Sequence, residues 1–234
     1  MTILGNTPGM HRASHSGVRF GAFVFALLLA IQCLWLVAAE LIRPDINQLP
    51  TDVIAATGAA NARLSANVAA FIGGVRGDLW AQSAYTYAYL LWPESGKNPK
   101  DREAADRARV ALDRALRWGP TQSGAWLLLA GLSQGFQLAG IAPVEALKMS
   151  YYTGPTELAL LPLRLRLAVQ ADKFDDFEIH QFVGRDLRLL LAQDRKSALA
   201  DAYRAASPAG KNLMEQALKD IDSSALSALH TTER

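Results

Sequence analysis

Apolar and polar positions divide the chain into one unbroken apolar stretch and a longer region with helical periodicity. Residues 20–39 read FGAFVFALLLAIQCLWLVAA and carry no ionisable side chain except the Cys33 thiol. A helix rises 1.5 Å per residue, so this stretch covers about 30 Å, the hydrocarbon thickness of a bilayer. The pattern predicts a transmembrane helix over residues 20–43, after a flank over 1–19. Because Pro44 disfavours helical geometry at Arg43, a linker is predicted over 44–51.

The residues on either side of this helix predict its orientation. The flank before it contains Arg12 and Arg19 and no acidic residue, whereas the segment after it is mixed in charge. Positive flanks stay in the cytoplasm, so we expect a cytoplasmic N-terminus, one pass through the inner membrane and a periplasmic C-terminal domain. Secretion after signal cleavage near Ala39 is the alternative, since Val37 and Ala39 suit a cleavage site. The length of the apolar run, and Trp35 near its end, favour the uncleaved anchor.

Residues 52–222 are predicted to form an all-α domain. Ala and Leu dominate, Val and Ile are sparse, and apolar residues recur at intervals of three and four rather than two. The predicted helices cover 52–72, 78–91, 101–118, 121–138, 143–152, 156–170, 174–193, 196–206 and 208–221. A tail over 223–234 completes the predicted organisation.

Two helix junctions in this domain have similar sequences. Residues 118–122 read WGPTQ and residues 153–157 read TGPTE, 35 positions later. Glycine permits the chain to reverse after one helix, and proline suits the first position of the next helix. Two matching junctions at this period predict a repeated helical hairpin.

At these residues the chain resembles a tetratricopeptide repeat (TPR), a helical hairpin of 34 residues. The residues that match its packing and junction positions are Trp80, Ala108, Leu112, Ala115, Gly119, Pro120, Trp126, Leu129, Ala130, Gly154 and Pro155. The resemblance covers residues 78–193, and is strongest in the middle. It implies an α-solenoid of helical hairpins, with 52–72 and 196–221 as capping helices.

The resemblance also implies a function and a binding surface. Helical repeats of this kind bind other proteins, and the first helix of each hairpin lines the concave side of the stack. We therefore interpret Lys148, Arg164 and Arg166 as candidate contacts in a ligand-facing groove.

Charge and cysteine content exclude several classes of site. The formal net charge is +2, and no Lys or Arg cluster of the kind that binds nucleic acid is present. One cysteine excludes an intramolecular disulfide and a cysteine zinc site. The sequence contains no motif typical of catalysis or nucleotide binding, so we expect neither an enzyme nor a bound cofactor or metal.

One acidic cluster supports an alternative. Asp175, Asp176, Glu178 and His180 gather carboxylates and an imidazole, as a metal or acid–base site would. Acidic residues are also common in the first turn of a helix, where they interact with its dipole. An envelope enzyme or ligand-binding protein that uses residues 175–180 is therefore the second hypothesis.

The leading hypothesis is a membrane-anchored, periplasm-facing scaffold that binds proteins in a cell-envelope assembly. An assembly that builds or exports surface polysaccharide is the kind we expect. The sequence leaves the partner and the oligomeric state open.

Overall fold

The chain folds into helices joined by short turns. The structure is a computed structural model that describes residues 11–92, 98–138, 140, 142–171 and 176–222. Its α-helices are α1 His11–Ile42, α2 Val53–Asn61, α3 Arg63–Gly73, α4 Gly77–Tyr85, α5 Pro99–Trp118, α6 Ser123–Phe136, α7 Pro143–Thr153, α8 Leu161–Gln170, α9 Phe177–Ala192, α10 Lys196–Ala205 and α11 Pro208–Ile221. Two 3₁₀ turns cover Ala88–Leu91 and Leu158–Leu160. The all-α class is thus confirmed for these ranges, whereas the predicted tail over 223–234 lies outside them.

Helix α1 contains the apolar stretch. Among the described helices it alone is long and apolar enough to cross a membrane, and an 18-residue window between Gly17 and Ile42 has a mean hydropathy of 2.5. It begins before the predicted span because residues 11–19 include no proline that would interrupt a helix. Side chains from Gly17 to Val37 are exposed, as a lipid-facing helix requires.

The C-terminal end of α1 packs against α3. Burial begins at Ala38 and is complete at Ala39. One turn earlier, the indole N–H of Trp35 donates a hydrogen bond to the Ile72 carbonyl, near the end of α3. Only the last turns of α1 are covered by the domain, and Trp35, which bonds to the end of α3, lies before them. The rest of α3 therefore extends from Ile72 along the last turns of α1, toward the C-terminal end of α1. Helix α3 therefore runs antiparallel to α1.

Charged side chains close the same junction. The Arg76 guanidinium pairs with Glu40 of α1, and its Nη2 lies 2.6 Å from Asp78 Oδ2 in the first turn of α4. Arg43 Nη1 lies 3.3 Å from Glu40 Oε2 and 3.8 Å from Asp78 Oδ2. We call Glu40, Arg43, Arg76 and Asp78 the ionic clamp. It joins the end of α1 to the start of α4.

The predicted linker is packed against the domain. Ile46 is 9% exposed and Leu49 is 4% exposed, and both belong to the hydrophobic core. The chain between α1 and α2 therefore fixes the position of α1 instead of acting as a free tether.

The predicted helices 52–72, 78–91 and 156–170 were too long. Residues 52–72 form α2 and α3, which meet at Ala62, where the backbone leaves helical geometry with ψ 10°. Next to this break, Arg63 Nη2 donates to the Thr86 carbonyl at 3.1 Å, and the guanidinium lies 4.3 Å from the centroid of the Tyr87 ring. Residues 78–91 divide into α4 and a 3₁₀ turn. In the third range a 3₁₀ turn precedes α8, and Pro162 occupies the first turn of that helix, where its missing N–H costs no hydrogen bond.

Helices α4–α5 and α6–α7 form two hairpins with matching features. Trp80 and Trp126 each lie three residues after the first residue of their helix. Their indole N–H groups donate to the carbonyls of Gly74 and Pro120, and each bond spans six residues and measures 2.7 Å. The structure thus gives Trp80 and Trp126 equivalent positions.

The glycines that end these hairpins also match. Gly119 has φ −147° and ψ 71°, and Gly154 has φ −142° and ψ 60°. Each donates its N–H to the carbonyl four residues earlier. A Cβ on Gly77 would lie 2.8 Å from the Gly119 nitrogen. A Cβ on Gly154 would lie 2.6 Å from the Cβ of Ser123. In both hairpins the start of the first helix therefore contacts the end of the second.

The remaining signature residues lie in the core or in turns. Ala108, Leu112, Ala115, Leu129 and Ala130 are buried. The small side chains among them allow the helices to approach closely. Pro120 and Pro155 lie in turns and not at the first helical position that their sequence context suggested, so that assignment was wrong.

The last four helices form a more compact group. Helix α8 packs against α9, α10 and α11, and α11 also packs against α9. The start of α11 lies so close to α8 that a Cβ on Gly210 would clash with the Val169 carbonyl. A regular solenoid across all the hairpins therefore stays a prediction.

A buried polar network joins α7 and α9. Asp186 is fully buried and accepts a 2.8 Å hydrogen bond from the Tyr151 hydroxyl. Arg185 Nη2 lies 3.5 Å from Asp186 Oδ1. Burial raises the pKa of Asp186 from 3.8 to about 6, although Tyr151 and the nearby arginines favour the ionised form.

This shift predicts a pH-dependent stability. A carboxyl group whose pKa is higher in the folded state stabilises the fold fully below its unfolded pKa, and loses that contribution as the pH rises through the folded value. Between about pH 4 and pH 7 the free energy of unfolding of the wild type should fall, relative to Asp186→Asn, by up to about 3 kcal/mol. Denaturant unfolding of the full chain in detergent, at a series of pH values, measures the difference. Asp194→Asn, at an exposed carboxylate, is the control, and an identical pH profile for Asp186→Asn would refute the assignment.

Candidate binding groove

A groove of about 620 Å³ lies between the segment after α1 and the first helices of the two hairpins. Its walls are Arg43 and residues 47–49, α4 at Asp78 and residues 81, 82 and 85, the start of α6 over residues 121–124, and residues 157–160. Its volume falls in the range that is typical of ligand sites. The groove is the candidate functional site.

Gly124 allows these walls to meet. A Cβ at this position would lie 2.7 Å from the Tyr85 hydroxyl oxygen and 3.3 Å from Leu49 Cβ. Any side chain larger than hydrogen would therefore push α4 or the segment after α1 away from α6. The close approach lets residues 47–49 form one wall, so the groove depends on the packing of that segment.

Two buried polar groups in the groove lack partners. Gln82 is 3% exposed and Ser123 is 2% exposed. Gln82 Oε1 and Ser123 Oγ receive no hydrogen bond from any residue that the structure describes. A buried polar atom without a partner costs roughly 1–3 kcal/mol, so most such atoms in folded proteins are paired. Gln82 Oε1 and Ser123 Oγ are therefore suited to a ligand that forms hydrogen bonds.

Tyr85 adds a third polar group to the same surface. Burial, and then the negative charge of Glu157, raise the pKa of Tyr85, so its hydroxyl remains protonated at physiological pH. Apolar side chains, among them Leu49 and Leu160, lie beside it. The surface thus combines apolar contacts with amide and hydroxyl groups, which suits the backbone and side chains of a polypeptide.

None of the predicted groove contacts lines this groove. Arg164 is fully buried, and its guanidinium donates to Ser150 Oγ at 3.0 Å, to the Ser150 carbonyl at 2.6 Å and to the Gly154 carbonyl at 2.8 Å. It thus provides hydrogen-bond donors for carbonyl groups at the C-terminal end of α7, which have no partner within the helix. The prediction that Arg164 contacts a ligand was wrong, because the charged end of this side chain is used inside the core.

Lys148 and Arg166 also lie elsewhere. Lys148 Nζ is 2.6 Å from Asp176 Oδ2 and 2.9 Å from Glu178 Oε2, so it joins α7 to α9. Arg166 lies 5.8 Å from the Trp92 ring and lines a separate cavity of about 370 Å³ near Asp201. The predicted contacts lie on helices α7 and α8, whereas residues of α4 and α6 line the groove.

The described carboxylates of the acidic cluster, Asp176 and Glu178, form hydrogen bonds and ion pairs with neighbouring residues. Asp176 accepts the backbone N–H groups of Glu178 and Ile179 and so caps α9. The hydrogen bond from Lys148 lowers the pKa of Asp176, and Lys148 and then Tyr152 lower the pKa of Glu178. These interactions keep both carboxylates ionised.

The same surroundings do not favour a metal site. No group of three or more His, Cys, Asp or Glu residues that could hold a metal ion occurs among the described residues. Asp175 lies outside those residues. The arrangement of Asp176 and Glu178 around Lys148 is that of ion pairs between two helices.

The groove residues Gln82, Tyr85, Ser123 and Gly124 were missed in the sequence. Their signal was present, because Gln82 and Ser123 are polar residues on helices with otherwise apolar surroundings. It could be recognised only once the burial of those helices on all sides was known.

Comparison of the chain with protein-family models, with curated proteins and with solved structures finds no match. The interpretation of the groove therefore depends on its own geometry and chemistry.

We expect the polar groups of Gln82 and Ser123 to be dispensable for stability and Arg164 to be essential. The double variant Gln82→Leu/Ser123→Ala removes the two unpartnered groups, so its free energy of unfolding should stay within about 1 kcal/mol of the wild type. Arg164→Met leaves three acceptors unsatisfied in the core and should cost at least about 3 kcal/mol. Denaturant unfolding of the full chain measures both. A large loss in the double variant, or none in Arg164→Met, would contradict this division of roles.

Proposed function

We propose that this protein is a membrane-anchored scaffold whose groove binds a polypeptide segment of a protein partner. The observation that carries the proposal is the pair of buried, unpartnered groups, Gln82 Oε1 and Ser123 Oγ, in the groove beside the end of α1. A polypeptide offers N–H donors to Gln82 and carbonyl acceptors to the Ser123 hydroxyl. Its apolar side chains would contact Leu49 and Leu160.

The matching hairpins support a TPR-like scaffold. Helices α4 and α6 are the first helices of their hairpins, carry Trp80 and Trp126 at equivalent positions, and both line the groove. In the TPR resemblance the first helices form the concave binding surface. The position of the groove on α4 and α6 supports the proposal, although the residues that line it differ from those that the resemblance suggested.

The proposed topology places the N-terminus in the cytoplasm and the domain in the periplasm, with α1 as an uncleaved inner-membrane anchor. Arg12 and Arg19 before the span support this orientation. The complete burial of Ala39 and the Trp35–Ile72 hydrogen bond support retention of α1, because cleavage near Ala39 would remove contacts that α3 makes.

The proposed setting is a cell-envelope assembly, such as one that builds or exports surface polysaccharide. In this proposal the protein is not an enzyme. It holds a partner at a fixed place on the membrane surface.

Site-specific photocrosslinking in intact cells tests the proposal. A photoreactive residue in place of Gln48, an exposed residue on the groove wall, should form an adduct with a partner protein. The same substitution at Arg107, which is exposed on α5, is the control and should not form that adduct. Because Gln82 and Ser123 supply the polar contacts, the Gln82→Leu/Ser123→Ala double variant should lose it.

The outcome separates binding in the groove from contact by proximity. Loss of the adduct in a double variant that is still folded and still in the membrane supports the proposal. An adduct that persists in the double variant, or forms equally from position 107, would show that the groove does not bind the partner.

A further inference from the structure

The turn between α3 and α4 lies beside the apolar helix α1. Helix α3 runs antiparallel to α1, and its end at Ile72 is bonded to Trp35. From Gly17 to Val37 the residues of α1 are exposed, so no other part of the domain that the structure describes covers that stretch. We call residues 71–75, which read FIGGV, the hairpin tip.

The depth of the hairpin tip follows from α1. The stretch without charged side chains ends at Ala39, and Trp35 lies four residues before it. At 1.5 Å per residue, Trp35 is about 6 Å on the membrane side of Ala39. The Ile72 carbonyl is bonded to the Trp35 indole, whereas the ionic clamp begins at Glu40, five residues after Trp35. The tip is therefore on the membrane side of the first charged residues.

The side chains of the hairpin tip suit a lipid environment. Residues 71–75 include no polar side chain, and Phe71 is 78% exposed and Val75 is 63% exposed. Exposed apolar groups beside a membrane span are typical of segments that enter the bilayer. Arg76 is the next residue, and its guanidinium forms part of the ionic clamp.

Several backbone polar groups of the tip are hydrogen-bonded within the protein. The Ile72 carbonyl accepts the Trp35 indole N–H, and the Gly74 carbonyl accepts that of Trp80 at 2.7 Å. The Gly73 carbonyl accepts the Arg76 N–H, and the Gly74 N–H donates to Ala70. Non-helical backbone is found inside a membrane only where its polar groups form hydrogen bonds within the protein. The three carbonyls of residues 72–74 meet that condition.

We propose that the hairpin tip inserts into the bilayer leaflet on the domain's side, next to α1. The proposal rests on the proposed anchoring by α1, whose lipid-facing surface the tip continues. Two contacts with the bilayer, α1 and the tip, would hold the domain in one orientation and the groove at a fixed height above the membrane.

Fluorescence quenching of the full chain in vesicles tests this insertion. In a Cys33→Ala background, single cysteines at Phe71, Leu64 and Leu28 carry an environment-sensitive dye, in phosphatidylcholine vesicles with or without a doxyl-labelled lipid. Leu28 reports on the span. Leu64, 79% exposed on α3, is the matched control, because it lies about 10 Å along the helix from Phe71.

The expected result is a blue-shifted emission and quenching by doxyl lipid at positions 28 and 71, and neither at 64. Quenching at position 28 together with a water-like emission at position 71 would overturn the proposed insertion of the hairpin tip, but not the proposed anchoring by α1. No quenching at 28 would overturn the anchor, and the insertion with it. A blue shift at 71 that doxyl lipid does not quench would show that protein, such as a second copy of the chain, covers the tip, and this would also overturn the insertion.

Discussion

Arg76 makes the contact on which the rest of the structure depends. Its guanidinium pairs with Glu40 at the end of the apolar helix and with Asp78 at the start of α4. Surface ion pairs contribute little to stability when they act alone, but a hydrogen-bonded network of four charges fixes geometry more firmly than a single pair. Beside it, the Trp35 indole bonds to α3 and Ala39 is fully buried. The apolar helix therefore joins the domain rigidly and not through a flexible tether.

This junction also determines the groove. Because α1 ends against α3 and α4, the chain that follows must pass across the domain surface, and it buries Ile46 and Leu49 on the way. Leu49 then meets Gly124 at the start of α6. The wall formed by residues 47–49 exists only because the segment is held at both ends. The candidate binding site is thus a consequence of how the apolar helix α1 is attached.

The parts of the fold that sequence reasoning predicted well are those governed by local chemistry. Pro44 indicated the end of α1, since proline disfavours helical geometry in the residue before it. The glycines at 119 and 154 indicated two similar junctions for the same kind of reason. The parts predicted poorly depend on distant contacts. At the break between α2 and α3, Arg63 contacts Thr86 and Tyr87, and inside the core Arg164 donates to Ser150 and Gly154. Nothing in the local sequence of either arginine identifies those partners.

The central claim is that α1 and the domain form one rigid unit, and a pulsed electron–electron double resonance measurement tests it most directly. Spin labels on cysteines at Leu28 and Arg107, in a Cys33→Ala background in lipid nanodiscs, report the distance between the span and helix α5. The account predicts a single narrow distance distribution in the wild type, which broadens in Arg76→Ala because that change removes the centre of the ionic clamp. A distribution that is already broad in the wild type and unchanged in Arg76→Ala would contradict it.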